Sequence, residues 1–245
     1  IIIIGTAYPF RGGRMSTYNE RLARAFMQRG DLVTIYTFSL QYPGFLFPGK
    51  TQYSTEPPPP DLDIKVAVNS VNPLNWIKVG REIKKLKADI VVIRYWMPFM
   101  APCLGTLARI IRRNKKSKVI AITDNIIPHE KMPGGNLLSS YFVKSCNGFI
   151  AMSRAVLSDL DTFDKKRPRL YSPHPLYDNF GKKVPALLAK KHLNLDVDTS
   201  YILFFGFIRE YKGLDLLIKA FADNRFRTLP VKLLVAGEFY IDGKL

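Results

Sequence analysis

Short apolar runs alternate along this chain with stretches whose apolar positions fall three and four residues apart. Ile1–Ile4 is an unbroken β-branched run, the pattern of a strand covered on both faces. Met15–Gln28 carries Leu22, Ala23, Phe26 and Met27 at helical spacing, and Gly30 is placed to end that helix. The same reading predicts strands at 31–38, 64–68, 90–94, 119–123, 149–152 and 169–172. It predicts helices at 75–86, 104–113, 137–145 and 154–161. Seven strands separated by helix-length segments describe βαβ units and an α/β fold, a doubly wound, Rossmann-like parallel sheet.

Residues 1–172 fill one such domain. Residues 173–200, rich in Pro, Lys and Asp, read as a linker with at most a short helix near 187–192. The pattern then restarts, with a strand at 202–207, a helix at 214–222 and a strand at 231–236. Residues 201–245 are therefore expected to open a second Rossmann-like domain. The chain begins with Ile inside a strand and stops soon after another, so it is expected to be a fragment of a longer protein, inactive by itself.

Composition narrows the class. Hydrophobic residues make up 47% of the 245, which excludes a disordered polyelectrolyte. No apolar run approaches the roughly 20 residues of a membrane-spanning helix, and four isoleucines are too few for a signal-peptide core. Cys103 and Cys146 cannot form a disulfide framework; a reducing, cytoplasmic location is expected.

The net charge of +17 is unevenly spread: residues 76–118 hold twelve basic and two acidic residues. In the first helix of that region Trp76, Ile77, Val79, Ile83 and Leu86 are expected on the apolar side, with Lys78, Arg81, Lys84, Lys85 and Lys87 in water. In the second, Leu104, Leu107, Ala108 and Ile111 oppose Arg112 and Arg113. Such a region suits peripheral contact with anionic lipid at the inner face of a membrane, or a phosphorylated acceptor. It equally suits ordinary solvated helix faces, because amphipathicity alone does not distinguish core from membrane. No nucleic-acid motif accompanies the charge, and no nucleic-acid partner is expected.

Three segments carry candidate chemistry. In GTAYPFRGGRMSTYNERLA (5–23) the spacing departs from the dinucleotide fingerprint GxGxxG, which removes the main support for a nicotinamide cofactor. Gly12 and Gly13 still open a helix, where backbone can approach a ligand and free N–H groups face an anion; the pair also suits a simple turn. In FFGFIREYKGLDLL (204–217), Arg209 and Lys212 follow a strand end and suit a diphosphate. In AITDNIIPHEKMPGG (121–135), Asp124 and Asn125 end a buried strand and His129 and Glu130 follow on the loop, groups able to bind hydroxyls or move protons. His174, between two prolines, reads as a hinge residue. Three scattered His and two lone Cys fit no metal-ligand spacing, so no metal is expected.

Taken together and in order, AYPFRGG, NERLARAFMQRG, ITDNIIPHEK, IAMSRAV, SPHPLYDNFG and FFGFIREYKGLDLLI resemble the retaining glycosyltransferases of family four. These are the group 1 transferases of the two-domain B-type fold, and the details look most like those of bacterial surface-polysaccharide biosynthesis. The resemblance implies a nucleotide-sugar donor held mainly by the second domain, a glycan or lipid-linked acceptor held mainly by the first, and transfer with retention. It implies that Gly12 and Gly13 meet the donor diphosphate, and that Lys212 matches the family's phosphate-binding Lys. Arg209 lies two positions beyond the family's usual Arg, where Phe207 stands. Asp124 occupies the place of a family His, and Asp124 and His129 are the catalytic candidates; Arg11, Asn125 and Glu130 are acceptor-side candidates. The family's paired glutamates are expected beyond Leu245. No cofactor is implied. Two rival readings remain on the same fold: a non-catalytic module for membranes or polyanions, and a sugar-nucleotide epimerase.

Overall fold

A computed structural model describes residues 1–11, 13–44, 52–127, 133–177, 181–237 and 239, Arg14 and Arg227 by backbone alone. Gly12, His129 and Glu130 lie outside the described residues. Those described fall into two compact units, one up to Pro175 and the other from Leu176 onward.

The first unit is a seven-stranded, wholly parallel sheet. In chain order it runs β1 (Ile2–Ile4), α1 (Arg14–Gln28), β2 (Thr34–Leu40), β3 (Asp63–Asn69), α2 (Pro73–Leu86), β4 (Ile90–Tyr95), α3 (Ala101–Arg112), β5 (Lys118–Thr123), α4 (Gly135–Val143), β6 (Gly148–Ala151), α5 (Arg154–Asp161) and β7 (Arg169–Tyr171). The strand order is β3-β2-β1-β4-β5-β6-β7. The winding reverses between β1 and β4, and in such sheets ligands bind beyond the carboxyl ends of the strands at that reversal.

Strand side chains alternate between two cores. Ile2 and Ile4 join Tyr36, Val91, Ile93 and the inward residues of α2, α3 and α4 on one face. Ile3, Ile35, Val92 and Ile122 pack on the other with Tyr18, Leu22, Ala23 and Phe26 of α1. Both faces of the central strands are thus dry, which is why their sequence is continuously apolar.

Two sequence expectations change. Strand β2 starts at Thr34 rather than at 31, because the Asp31 amide closes the end of α1 on the Phe26 carbonyl and Leu32 is exposed. In α2, Trp76, Val79 and Ile83 turn inward, but Ile77 and Leu86 are exposed. At about 100° per residue they fall on the flanks of the buried line, not on it.

The second unit begins with α6 (Ala186–His192). Strand β8 (Ser200–Phe205) pairs in parallel with β9 (Val231–Ala236), and α7 (Leu214–Phe221) and α8 (Asn224–Arg227) come between them in the chain. Phe205 of β8 is 82% exposed. Among the described residues no helix is long and apolar enough to cross a membrane.

Candidate functional site

The segment after β1 is held from several sides. The Gly5 amide donates to the Tyr36 carbonyl (3.2 Å). The Ala7 amide donates to Thr37 Oγ1 (3.0 Å), whose hydroxyl donates back to the Ala7 carbonyl (3.2 Å). Asn19, buried on α1, donates its Nδ2 to the Thr6 carbonyl (2.8 Å). Farther along, the Arg11 amide donates to the Gln52 carbonyl (2.8 Å), and the Ser54 amide to Pro9 (2.8 Å). Phe10 stacks on Tyr53 with ring centroids 5.4 Å apart.

This bracing delivers Gly13 to the start of α1. Its backbone is extended there, which any residue can adopt, and a Cβ would meet nothing closer than the Arg11 carbonyl at 3.8 Å. Neither backbone strain nor packing accounts for a glycine at this exposed position. The helix start has no side-chain cap and no acid in its first turn, so its amides face outward with positive partial charge.

At the carboxyl ends of β4 and β5 lies a cluster that sequence reasoning only partly named. Arg94, wholly out of solvent, grips Asp124 with two hydrogen bonds: Nε to Oδ2 at 2.5 Å and Nη2 to Oδ1 at 2.7 Å. Its guanidinium lies 4.1 Å from the Tyr18 ring centre, a cation–π contact from α1. His174 brings Nε2 to 3.4 Å from Asp124 Oδ1, and its ring meets Tyr18 edge-on at 6.2 Å. Four segments, α1, β4, the end of β5 and the stretch after β7, therefore meet around the Arg94–Asp124 pair. Asp124 remains slightly exposed at 11% of its side chain.

His174 thus stands beside a candidate site residue rather than serving only as a chain-shaping residue between prolines. Arg94 carried a readable signal: a cation at the carboxyl end of the β-branched run IVVIRY needs a buried partner. Tyr18 carried none beyond its helix position. Asn125 follows Asp124, half-buried, and the strand exit is fixed where Ser139 Oγ donates to the Ile126 carbonyl (2.7 Å). Arg11 is exposed beside the braced loop.

In the second unit, β8 ends at Gly206, whose φ of 117° is a left-handed conformation suited to glycine. A single 3₁₀ turn spans Glu210–Lys212, and Gly213 then enters α7. The Arg209 guanidinium and Lys212 Nζ both lie near the Tyr211 ring, at 5.9 and 5.5 Å from its centre. Two cations are thereby gathered around one exposed aromatic at a strand–helix junction. Asp215 in the first turn of α7 pairs with Lys219 (3.6 Å). Among the described residues, no three His, Cys, Asp or Glu side chains assemble as a metal site.

Comparison with known proteins agrees with this architecture. The D-rhamnosyltransferase WbpZ of Pseudomonas aeruginosa is 25% identical over 176 residues, covering 72% of this chain and 44% of that protein. The chain therefore spans less than half the length of that relative. A solved structure titled "OtsA apo structure" overlays 96% of the chain and 64% of its own length, with a TM-score of 0.56 at 9% identity. That likeness establishes the fold. No protein-family profile matches the chain.

Proposed function

We propose that this protein is a glycosyltransferase that moves a sugar from a nucleotide-sugar donor to a glycan or lipid-linked acceptor. The observation that carries the reading is the 176-residue similarity to a rhamnosyltransferase, which spans most of the chain. Its class of chemistry suits what the first unit presents at its winding reversal. An unconstrained glycine at an uncapped helix start admits a diphosphate to the backbone amides.

Negative charge develops on the departing nucleoside diphosphate as the sugar–oxygen bond breaks, so fixed positive groups are the main electrostatic need. In the first unit Gly13, with Gly12, would supply amides to such a group; in the second unit Arg209 and Lys212 are cations suited to one. The guanidinium binds two oxygens at once while Lys acts as a point charge. With these groups neutralising the leaving group, transfer is expected to proceed without a metal ion. Asp124, fixed in orientation by Arg94, and His174 beside it would hold hydroxyls of the donor sugar. Asp124 is suited to accepting hydrogen bonds from them because its position is set before the sugar arrives. Arg11, Asn125 and Glu130 would serve the acceptor, and His129 would act with Asp124 in the catalytic step. Retention of configuration, polysaccharide or glycolipid synthesis, and work at the cytoplasmic membrane face complete the proposal.

The test uses the full-length gene product with a panel of nucleotide sugars, an activated rhamnose among them, and a lipid-linked or glycan acceptor. Proton NMR of the product reads the anomeric configuration, with and without chelator. Retained configuration and activity undiminished by chelator are expected. An inverted product overturns the retaining assignment, and activity lost in chelator and restored by Mg²⁺ overturns metal independence. A modified nucleotide sugar released without acceptor would favour the epimerase reading instead.

A further inference from the structure

We propose that aromatic rings at the carboxyl ends of β1, β2 and β4 form a stacking subsite for an uncharged pyranose ring of the acceptor, a role that rests on the transfer reaction proposed above.

These three strands are neighbours in the sheet, around the winding reversal. Phe38, buried near the end of β2, meets Phe10 edge-on at 6.5 Å and Trp96 at 6.1 Å. Phe10, also buried, stacks on Tyr53 at 5.4 Å. Tyr42, just past β2, lies 6.5 Å from Trp96 and 6.3 Å from Phe99 in the 3₁₀ turn Pro98–Met100. Two buried rings thus make a floor for others that keep some exposure. Tyr53 is 44% exposed, and Tyr42, Trp96 and Phe99 are half-buried.

The polar atoms of the cluster bear on the ligand's chemistry. Trp96 uses its one polar atom internally, donating Nε1 to Tyr42 Oη at 2.5 Å, so what it offers a ligand is carbon and π surface. Gln52 Nε2 donates to the Tyr42 carbonyl at 3.3 Å, but the buried Gln52 Oε1 has no hydrogen-bond partner among the described residues. A buried acceptor left so is unfavourable, and a hydroxyl would satisfy it. A pyranose matches both features. Its C–H bonds pack on the negative face of an aromatic ring, while hydroxyls around its edge donate to acceptors. None of these side chains is charged, which favours a neutral occupant over a phosphate. The rings also meet at steep angles, 88° for Phe38 with Trp96 and 78° for Tyr42 with Trp96. A flat base stacks best between parallel walls, whereas a puckered sugar presents C–H bonds on several sides.

Position ties this surface to the reaction. The Arg11 amide on the Gln52 carbonyl (2.8 Å) holds it two residues from Gly13. Trp96 follows Arg94, the partner of Asp124, by two residues, at most about 7 Å along the chain. A sugar stacked here therefore lies beside the groups assigned to the donor.

The test is saturation-transfer NMR on the full-length gene product with the methyl glycosides of rhamnose, glucose and N-acetylglucosamine, in the absence of donor. Saturation of ring C–H protons is expected in the wild type and in Tyr53→Phe and Trp96→Phe. Binding should be about tenfold weaker in Tyr53→Leu and in Trp96→Leu, the scale of one stacking contact. Leucine keeps apolar volume and removes the π face, and unchanged thermal melts confirm the fold; Tyr53→Leu, at the more exposed ring, carries the test if Trp96→Leu unfolds. The proposal is overturned if the wild type saturates none of the three glycosides, or if the leucine variants bind as it does. Displacement by uridine or geranyl phosphate at tighter affinity overturns it too, by assigning the rings to a base or a prenyl chain. In turnover, the acceptor KM should rise about tenfold in both leucine variants, with a free or a lipid-linked oligosaccharide, whichever the protein uses. The nucleotide-sugar KM should not move. Transfer with an unchanged acceptor KM overturns the subsite and leaves the transfer reaction standing. Ring-dependent sugar binding in a protein that transfers nothing supports the subsite and contradicts the transfer reaction.

Discussion

Arg94 and Asp124 meet as a two-point ion pair, with the guanidinium wholly out of solvent and the carboxylate at its edge. The pair ties β4 to the exit of β5, and Tyr18 and His174 close around it from α1 and the segment after β7. Removing one partner leaves the other charged and nearly dry. Arg94→Ala should therefore cost about 3–5 kcal/mol in urea unfolding. Arg94→Lys should restore little, because a point charge cannot make both bonds. The double variant R94M/D124L should be clearly more stable than Arg94→Ala alone. Equal instability of the double and single variants would show that the pair is not what the site depends on.

Gly5 and Gly13 stand at opposite ends of one loop and should respond oppositely. A Cβ at Gly5 would come within 2.6 Å of Asn19 Nδ2, which is tethered to the Thr6 carbonyl, and 3.1 Å of Arg94 Cβ. Gly5→Ala should lose about 1–3 kcal/mol through overpacking. Gly13→Ala meets open space and should cost less than about 1 kcal/mol, the difference between two poor helix caps. Its effect should fall on donor use, with turnover at limiting nucleotide sugar lowered about tenfold or more, for loss of a close backbone contact of ~1.4 kcal/mol. Thermal melts and steady-state kinetics of the two variants check this; kinetics unchanged in Gly13→Ala would remove the loop from the donor site.

Cys103 and Cys146 are both fully buried, and burial pushes both thiols up, Cys146 to about 12. In the unfolded chain they ionise near about 8.5. With folded values above unfolded ones, the contribution to stability is complete below that pH and is lost as pH rises toward the folded values. Stability should therefore decline through the mildly alkaline range. Iodoacetamide at pH 8 should label neither thiol of the native protein at a rate approaching that in denaturant. Rapid labelling without denaturant would contradict the burial.

The strand–helix alternation was legible because buried parallel strands must be continuously apolar, as in Ile1–Ile4 and the start of IVVIRY. Their order was not, since register and neighbours are set by packing across the sheet. The same limit hid the Arg94–Asp124 pair: each residue is visible, but only the parallel pairing of β4 with β5 brings them together. His174 was seen between its prolines, yet nothing local aims it at Asp124. For α2, a helical pattern gave the buried line correctly through Val79 and Ile83. It assigned Ile77 and Leu86 to the wrong side, because residues on a stripe's flank are decided by what packs beside them. Arg209 and Lys212 were legible as a pair of cations, while their gathering around Tyr211 depends on the 3₁₀ turn.

The central claim is sugar transfer from a nucleotide donor, and acceptor-dependent release of nucleoside diphosphate tests it most directly. The measurement compares the wild-type full-length gene product with Lys212→Ala, whose exposed side chain leaves stability unchanged. The account predicts release only when acceptor is present, and a loss of about a hundredfold in turnover for the variant, the scale of removing one stabilising group from a developing anion. Release that ignores the acceptor, or equal rates in the two proteins, would contradict it.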